Sequence, residues 1–127
     1  MKKLYAPKGI IPAPPTPFTK DDKINEEEYK RLLNYDIERG VHCICVGGST
    51  GEWSTMSIEE RKQLFKIAAK AIGDRIPKMA TTGCHSLSKT LELTKYAVDL
   101  GYESILLVTP HYLQPGFEAT KDYYRKV

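Results

Sequence analysis

The stretch "HCICVGGSTGE", residues 42–52, decides the fold. It joins a run of apolar residues to a loop of glycines, hydroxyl side chains and one carboxylate. A short apolar run bounded by glycine is typical of a strand that is covered on both faces, as in a parallel sheet. Because functional loops follow the carboxyl ends of strands in parallel architectures, residues 47–52 are a candidate functional loop.

Short apolar runs of this kind recur along the chain, separated by helical segments. Residues 78–82 and 104–109 are similar runs, and residues 10–13 form an earlier one that passes into a proline-rich segment. Proline cannot donate to a sheet ladder, so the first run is predicted to be an edge or irregular strand. Between the runs lie helical segments with an N-cap signal and a glycine stop, namely Asn25 to Gly40, Ser57 to Gly73 and Ser86 to Gly101.

A fourth helix is predicted to begin near Phe117. On the third helix, apolar spacing predicts an inward face of Leu87, Leu91, Thr94 and Val98. The resulting β-α order, repeated four times, predicts a parallel sheet with right-handed crossovers. Four units are half of an eight-unit barrel, which takes about 250 residues. A small doubly wound sheet is the alternative, and length favours it because a half barrel leaves two sheet edges unpaired.

Composition limits the class of protein. The 127 residues are 41% hydrophobic and 28% charged, which predicts one folded domain rather than a disordered chain. The net charge of +3 comes from interspersed residues, so no basic stripe indicates a nucleic acid partner. No apolar run approaches the roughly 18 residues of a membrane span, and no export leader is recognisable. We therefore expect a cytoplasmic protein with no membrane partner.

The cysteines favour reduced thiols. Cys43, Cys45 and Cys84 make an odd number, and with His42 and His85 they lack the spacings of known metal sites. We expect small buried side chains and no metal.

The glycine-rich loop has three readings. A phosphate loop is excluded because no lysine follows the glycines and Glu52 stands there instead. Residues 47–51 match G-x-S-x-G, which leaves open a serine hydrolase with Ser49 as nucleophile and His85 or His111 as base. The third reading is a carboxylate cradle, in which glycine N–H groups and the Ser49 and Thr50 hydroxyls hold a small oxo-acid.

Four motifs at strand ends carry a resemblance: APPTPF at 13–18, GSTGE at 48–52, TG at 82–83 and VTPHY at 108–112. Together they resemble the pyruvate-dependent class I aldolase family that contains dihydrodipicolinate synthase and N-acetylneuraminate lyase. The resemblance implies an α/β fold of the (β/α)8 TIM barrel family. Residues 1–127 would then be the N-terminal half of a single TIM-barrel domain, with about four βα units.

The resemblance also implies a site. Family members form a Schiff base between a lysine and pyruvate, without a cofactor. Gly48, Ser49 and Thr50 would bind the pyruvate carboxylate, and Ser49 and Tyr112 would be catalytic through proton transfer. In the synthase branch the matching tyrosine reaches into a neighbouring subunit, so we expect a homo-oligomer.

One part of the family pattern is missing. The Schiff-base lysine belongs on a sixth strand, beyond residue 127, so we expect this chain alone to be inactive. The synthase branch is slightly favoured over the N-acetylneuraminate lyase or sugar-acid aldolase branch. A non-catalytic half-barrel assembly module remains an alternative, as does the serine hydrolase.

Overall fold

A computed structural model describes residues 6–127, and residues 1–5, on which part of the expectation about an export leader depends, lie outside that range. Helices and strands alternate along the described chain. In order they are α1 (Glu26–Glu38), β1 (Ile44–Val46), a 3-10 turn (Trp53–Thr55), α2 (Ile58–Ile72), β2 (Lys78–Thr81), α3 (Leu87–Asp99), β3 (Ser104–Leu106) and α4 (Phe117–Lys126). Within residues 6–127, no helix is long and apolar enough to cross a membrane.

The strands form a parallel sheet in the order β1-β2-β3, as the sequence predicts. Val46 pairs with Ala80, and Thr81 pairs with Leu106. The strands are shorter than the apolar runs of the sequence. One further bond follows the paired residues, from the N–H of Thr82 to the carbonyl of Leu106 at 3.2 Å, and residues 107–109 belong to no strand. The three strand ends and the loops that follow them therefore lie along the same edge.

The proline-rich N-terminal segment lies beside β1 without forming a regular strand. Backbone N–H groups of His42 and Cys45 donate to the carbonyls of Ile10 and Pro12, both at 2.9 Å. Proline at 12 accepts a bond but has no N–H to return one, which interrupts the ladder. The prediction of an irregular edge strand is confirmed.

Helix starts follow the predicted caps, with different geometry at each. Asn25 accepts from the backbone N–H of Glu28 at 3.2 Å. Ser57 and Glu60 complete a reciprocal capping box at the start of α2. Ser86 precedes α3, but its hydroxyl is bonded to Ser88 and caps no backbone group.

The core lies between the sheet and the helices, and it includes Leu33, Ile44, Leu64 and Phe65. Both α1 and α3 pack against the central helix α2. The result is an α/β layer architecture in which the loops that follow β1, β2 and β3 lie at one edge of the sheet.

The predicted inward face of α3 is wrong at two of its four positions, whereas Leu87 and Thr94 are half-buried. The buried residues are Thr90, Leu93 and Ala97, whereas Leu91 is 39% exposed and Val98 is 60% exposed. The helix carries two neighbouring stripes, and spacing alone does not choose between them. Thr90 turns inward because its hydroxyl accepts from the N–H of Cys84 at 3.0 Å.

Candidate active site

The loop after β1 is held in place by the N-terminal segment. A Cβ on Gly48 would lie 3.1 Å from the Cβ of Ala13, and one on Gly51 would lie 3.2 Å from a backbone oxygen. The buried hydroxyl of Thr16 donates to the Gly51 carbonyl at 2.8 Å. The glycines are therefore required by close packing, and Thr16 is a supporting residue that the sequence analysis missed.

Ser49 and Thr50 lie at the exposed tip of this loop. The Ser49 carbonyl accepts from the N–H of Glu52 at 3.0 Å, which closes a tight turn. Within residues 6–127, neither hydroxyl makes a hydrogen bond to the protein, so both are available to a ligand. The Glu52 carboxylate belongs to a separate cleft of about 290 Å³ that Asp22 and Glu60 also line.

The loop does not have the shape of a nucleophile elbow. An elbow turns directly from strand into helix, whereas here the 3-10 turn Trp53–Thr55 separates Ser49 from α2. His85 and His111 pack against each other, with ring centroids 5.0 Å apart. Neither ring forms a hydrogen bond with Ser49 in the described part of the chain.

Loops from all three strand ends meet at Trp53. It follows the β1 loop and, with His85 from the β2 loop and His111 from the β3 loop, lines one narrow void. It also lines a larger cavity of about 280 Å³ with Arg61, His85 and Lys89. Residues that follow three different strands therefore line the same void.

Tyr112 lies in the segment between β3 and α4. Its side chain is 82% exposed, and in the described chain it forms no hydrogen bond with Ser49 or Thr50. The placement of Tyr112 at the site therefore stays a prediction.

Arg61 is a buried cation that the sequence analysis did not single out. It is 3% exposed and donates to the carbonyls of Thr81 and Gly83 at 2.6 and 3.2 Å. Desolvation by burial lowers the pKa of its guanidinium. The sequence does indicate that position 61 is buried, because it lies on the same face of the helix as the apolar residues Leu64 and Ala68.

Two of the described thiols and one described lysine are buried. Cys43 and Cys45 are buried, and desolvation raises the pKa of the Cys45 thiol. Lys78 is buried at the opposite end of β2, where Nζ donates to the Gly73 carbonyl at 2.7 Å and lies 3.7 Å from Glu103. Across residues 6–127, no group of three or more His, Cys, Asp and Glu side chains is arranged to hold a metal ion.

Comparison with known proteins decides the family. The profile of the Dihydrodipicolinate synthetase family matches residues 6–127. The chain belongs to this family. The resemblance carried by the strand-end motifs is thereby confirmed.

Curated relatives include both branches of the family. The 4-hydroxy-tetrahydrodipicolinate synthase of Stenotrophomonas maltophilia (strain R551-3) is 42% identical over 119 residues, which cover 94% of this chain and 40% of that protein. The N-acetylneuraminate lyase of Pasteurella multocida (strain Pm70) is 40% identical over 128 residues, which cover 100% of this chain and 43% of that protein. The chain thus spans about two fifths of their length.

A solved structure agrees in fold. Dihydrodipicolinate synthase from Acinetobacter baumannii, crystallised with pyruvate, matches with a TM-score of 0.88 and 40% identity. The match covers 92% of this chain and 40% of that chain. The α/β architecture with its parallel sheet is consistent with part of a barrel.

Proposed function

We propose that this chain is the N-terminal part of a Schiff-base-forming, pyruvate-dependent lyase or synthase of the 4-hydroxy-tetrahydrodipicolinate synthase type. In this proposal residues 1–127 form about the first four βα units of one (β/α)8 barrel. The partner of the site is pyruvate or a related 2-oxo acid. The assembled protein is a cytoplasmic homo-oligomer.

The observation that carries the proposal is the loop at 48–52. Close packing fixes its glycines, while the hydroxyls of Ser49 and Thr50 stay exposed at the carboxyl edge of the sheet. Two adjacent hydroxyl donors and turn N–H groups match the needs of a carboxylate. Support also comes from the pyruvate complex of the Acinetobacter synthase, which is 40% identical.

Each residue has a distinct role in this proposal. Gly48, Ser49 and Thr50 hold the carboxylate, and Ser49 also passes protons. Tyr112 acts in the proton relay, and its high exposure fits a side chain that completes the site of another subunit. The Schiff-base lysine is supplied by chain beyond residue 127, since Lys78 is engaged at the opposite end of β2.

The branch is proposed as synthase, with N-acetylneuraminate lyase or a sugar-acid aldolase as the alternative. The identities to the two kinds of relative are 42% and 40%. A half-barrel assembly module and a serine hydrolase using Ser49 are the remaining candidates, and the extended loop before α2 counts against the hydrolase.

Borohydride trapping tests the proposal. The chain of 127 residues is incubated with pyruvate and borohydride and then analysed by mass spectrometry. We expect no covalent adduct on this chain. A trapped pyruvate on any of its lysines would overturn the assignment of the nucleophile.

The protein encoded by the complete reading frame is the positive control for the borohydride experiment. We expect one adduct there, on a lysine beyond residue 127.

In the same protein, Ser49→Ala should raise the KM for pyruvate about tenfold or more, because a hydrogen bond to a charged group contributes about 1.5–3 kcal/mol. Ser54→Ala is the matched control, since Ser54 is an exposed serine outside the cradle. An unchanged KM in Ser49→Ala would remove the cradle from the proposal.

A further inference from the structure

The guanidinium of Arg61 lies inside the protein, on the face of α2 that packs toward the sheet. Its exposed fraction is 3%, comparable to that of the apolar core. Burying a charge is costly unless it is well hydrogen-bonded. The contacts that offset this cost indicate what the residue does.

Those contacts are concentrated where β2 ends. Nη2 donates to the Thr81 carbonyl at 2.6 Å, and Nη1 donates to the Gly83 carbonyl at 3.2 Å and to the Cys84 sulfur at 3.0 Å. Carbonyls at the end of a strand lose ladder partners, and the fork of the guanidinium replaces them. Arg61 therefore fixes the course of the chain as it leaves β2.

The same guanidinium also contacts the loop after β1. Its Cζ lies 5.2 Å from the ring centroid of Trp53, within the range of a cation–π interaction. Trp53 follows Thr50 by three positions along the chain. One side chain of α2 thus connects the loops that leave two neighbouring strands.

We propose that Arg61 is a positioning residue for the carboxylate site. By holding Trp53 against the end of β2, it sets where the loop with Ser49 and Thr50 stands relative to the loop with Gly83. Arg61 does not touch the substrate in this arrangement. The effect of Arg61 on pyruvate binding rests on the proposed function. The contacts of Arg61 with Trp53 and with the carbonyls at the end of β2, called the brace from here on, do not depend on that proposal.

Lysine cannot reproduce the brace. Its ammonium is a compact point charge, so it cannot bridge two carbonyls in a plane and present a flat face to an indole. Arg61→Lys therefore keeps the charge and removes the geometry. Arg31→Lys on α1 is the matched control, because Arg31 is exposed and bonds only Glu28.

Trp53 is the only tryptophan of the chain and reports on the brace directly. Acrylamide quenching of its fluorescence is measured in the wild-type chain, Arg61→Lys and Arg31→Lys, with far-UV circular dichroism as a check of folding. We expect the quenching constant to rise at least twofold in Arg61→Lys and to stay unchanged in Arg31→Lys. Wild-type quenching in a folded Arg61→Lys variant would overturn the brace.

Trp53→Ala provides a second variant if loss of the buried arginine prevents folding. It removes the aromatic partner from a half-buried position and leaves the carbonyl bonds of Arg61 in place. In the protein from the complete reading frame, we expect Trp53→Ala and Arg61→Lys to raise the KM for pyruvate about tenfold with kcat changed less than about threefold. A purely structural role would lower the unfolding midpoint and leave KM unchanged at temperatures well below it.

The two proposals fail in different ways. If the wild-type protein shows no turnover that depends on pyruvate, the proposed function fails while the quenching data still decide whether Arg61 braces Trp53. If turnover is present and KM is unchanged in both variants, the positioning role fails while the proposed function stands.

Discussion

At the scale of single residues, the two serines that precede α2 and α3 behave differently. Ser57 accepts from the backbone N–H of Glu60, and the Glu60 carboxylate accepts from the N–H of Ser57 at 2.8 Å. The residue three positions after Ser86 is Lys89, which has no acceptor to return a bond. The chemistry of that third position decides whether an N-cap serine becomes a capping box.

Replacing the two serines tests this difference. Ser57→Ala should lower the free energy of unfolding by about 1 kcal/mol, the usual cost of a lost N-cap. Ser86→Ala should change it by less than about 0.5 kcal/mol, because its hydroxyl caps no backbone group. Urea denaturation of both variants measures the two values. Equal losses would contradict the role assigned to the box.

The capping box also predicts a pH dependence. Hydrogen bonds from the backbone and hydroxyl of Ser57 hold the pKa of the Glu60 carboxyl below its ordinary value. The folded protein therefore binds this proton less readily than the unfolded chain, and the resulting stabilisation is present near neutral pH and lost as the pH falls through the folded pKa. Urea denaturation in the acidic range should show a shallower loss of stability in Glu60→Gln than in the wild type. Parallel curves would exclude this contribution.

At the scale of elements, the site edge depends on close approaches between consecutive loops. Gly83, just past β2, lies so near Val108 that an added Cβ would stand 2.7 Å from its backbone nitrogen. The loops after β2 and β3 are thereby pressed together, which also brings His85 and His111 into contact. Glycine at 83 is thus a condition for the convergence of these loops.

Adding a methyl group tests that close approach. Gly83→Ala should lower the free energy of unfolding by about 1–3 kcal/mol, the range typical of overpacking, since the clash involves backbone atoms. Gly116→Ala is the matched control, because nothing lies within 4 Å of its added Cβ, and it should change stability by less than about 0.5 kcal/mol. Thermal unfolding compares the two. A neutral Gly83→Ala would mean that the loops can separate at little cost.

At the scale of the whole molecule, the described chain presents the loops after its three strands along one edge of the sheet. Trp53 and two histidines line a void at this edge, while β3 pairs on one side only in the described sheet. Exposed apolar side chains follow β3, namely Tyr112, Leu113 and Phe117. The chain also spans only about two fifths of the length of its curated relatives. The borohydride experiment belongs to this scale, because it asks whether residues 1–127 contain the whole of the chemistry.

Parts of this arrangement were predictable because they depend on local chemistry. Ser57 and Glu60 are three positions apart, so their capping box is visible in the sequence. The parallel sheet follows from apolar runs that alternate with helices. The brace of Arg61 was not predictable, because Thr81 and Gly83 are distant in sequence and become its partners only when α2 packs on the sheet.

The sequence by itself determined the family, the order of helices and strands, and the position of the glycine-rich loop, since each depends on spacing or on motifs within a few residues. Tertiary structure alone decided that α3 buries Thr90 and Leu93, that Trp53 lines one void with His85 and His111, and that Tyr112 is exposed. The physical reason is that each of these outcomes depends on which surfaces meet when elements pack. The local sequence of a helix such as α3 is compatible with burial of either of two neighbouring stripes, and the local sequence of a loop is compatible with more than one conformation. Long-range contacts select one of them.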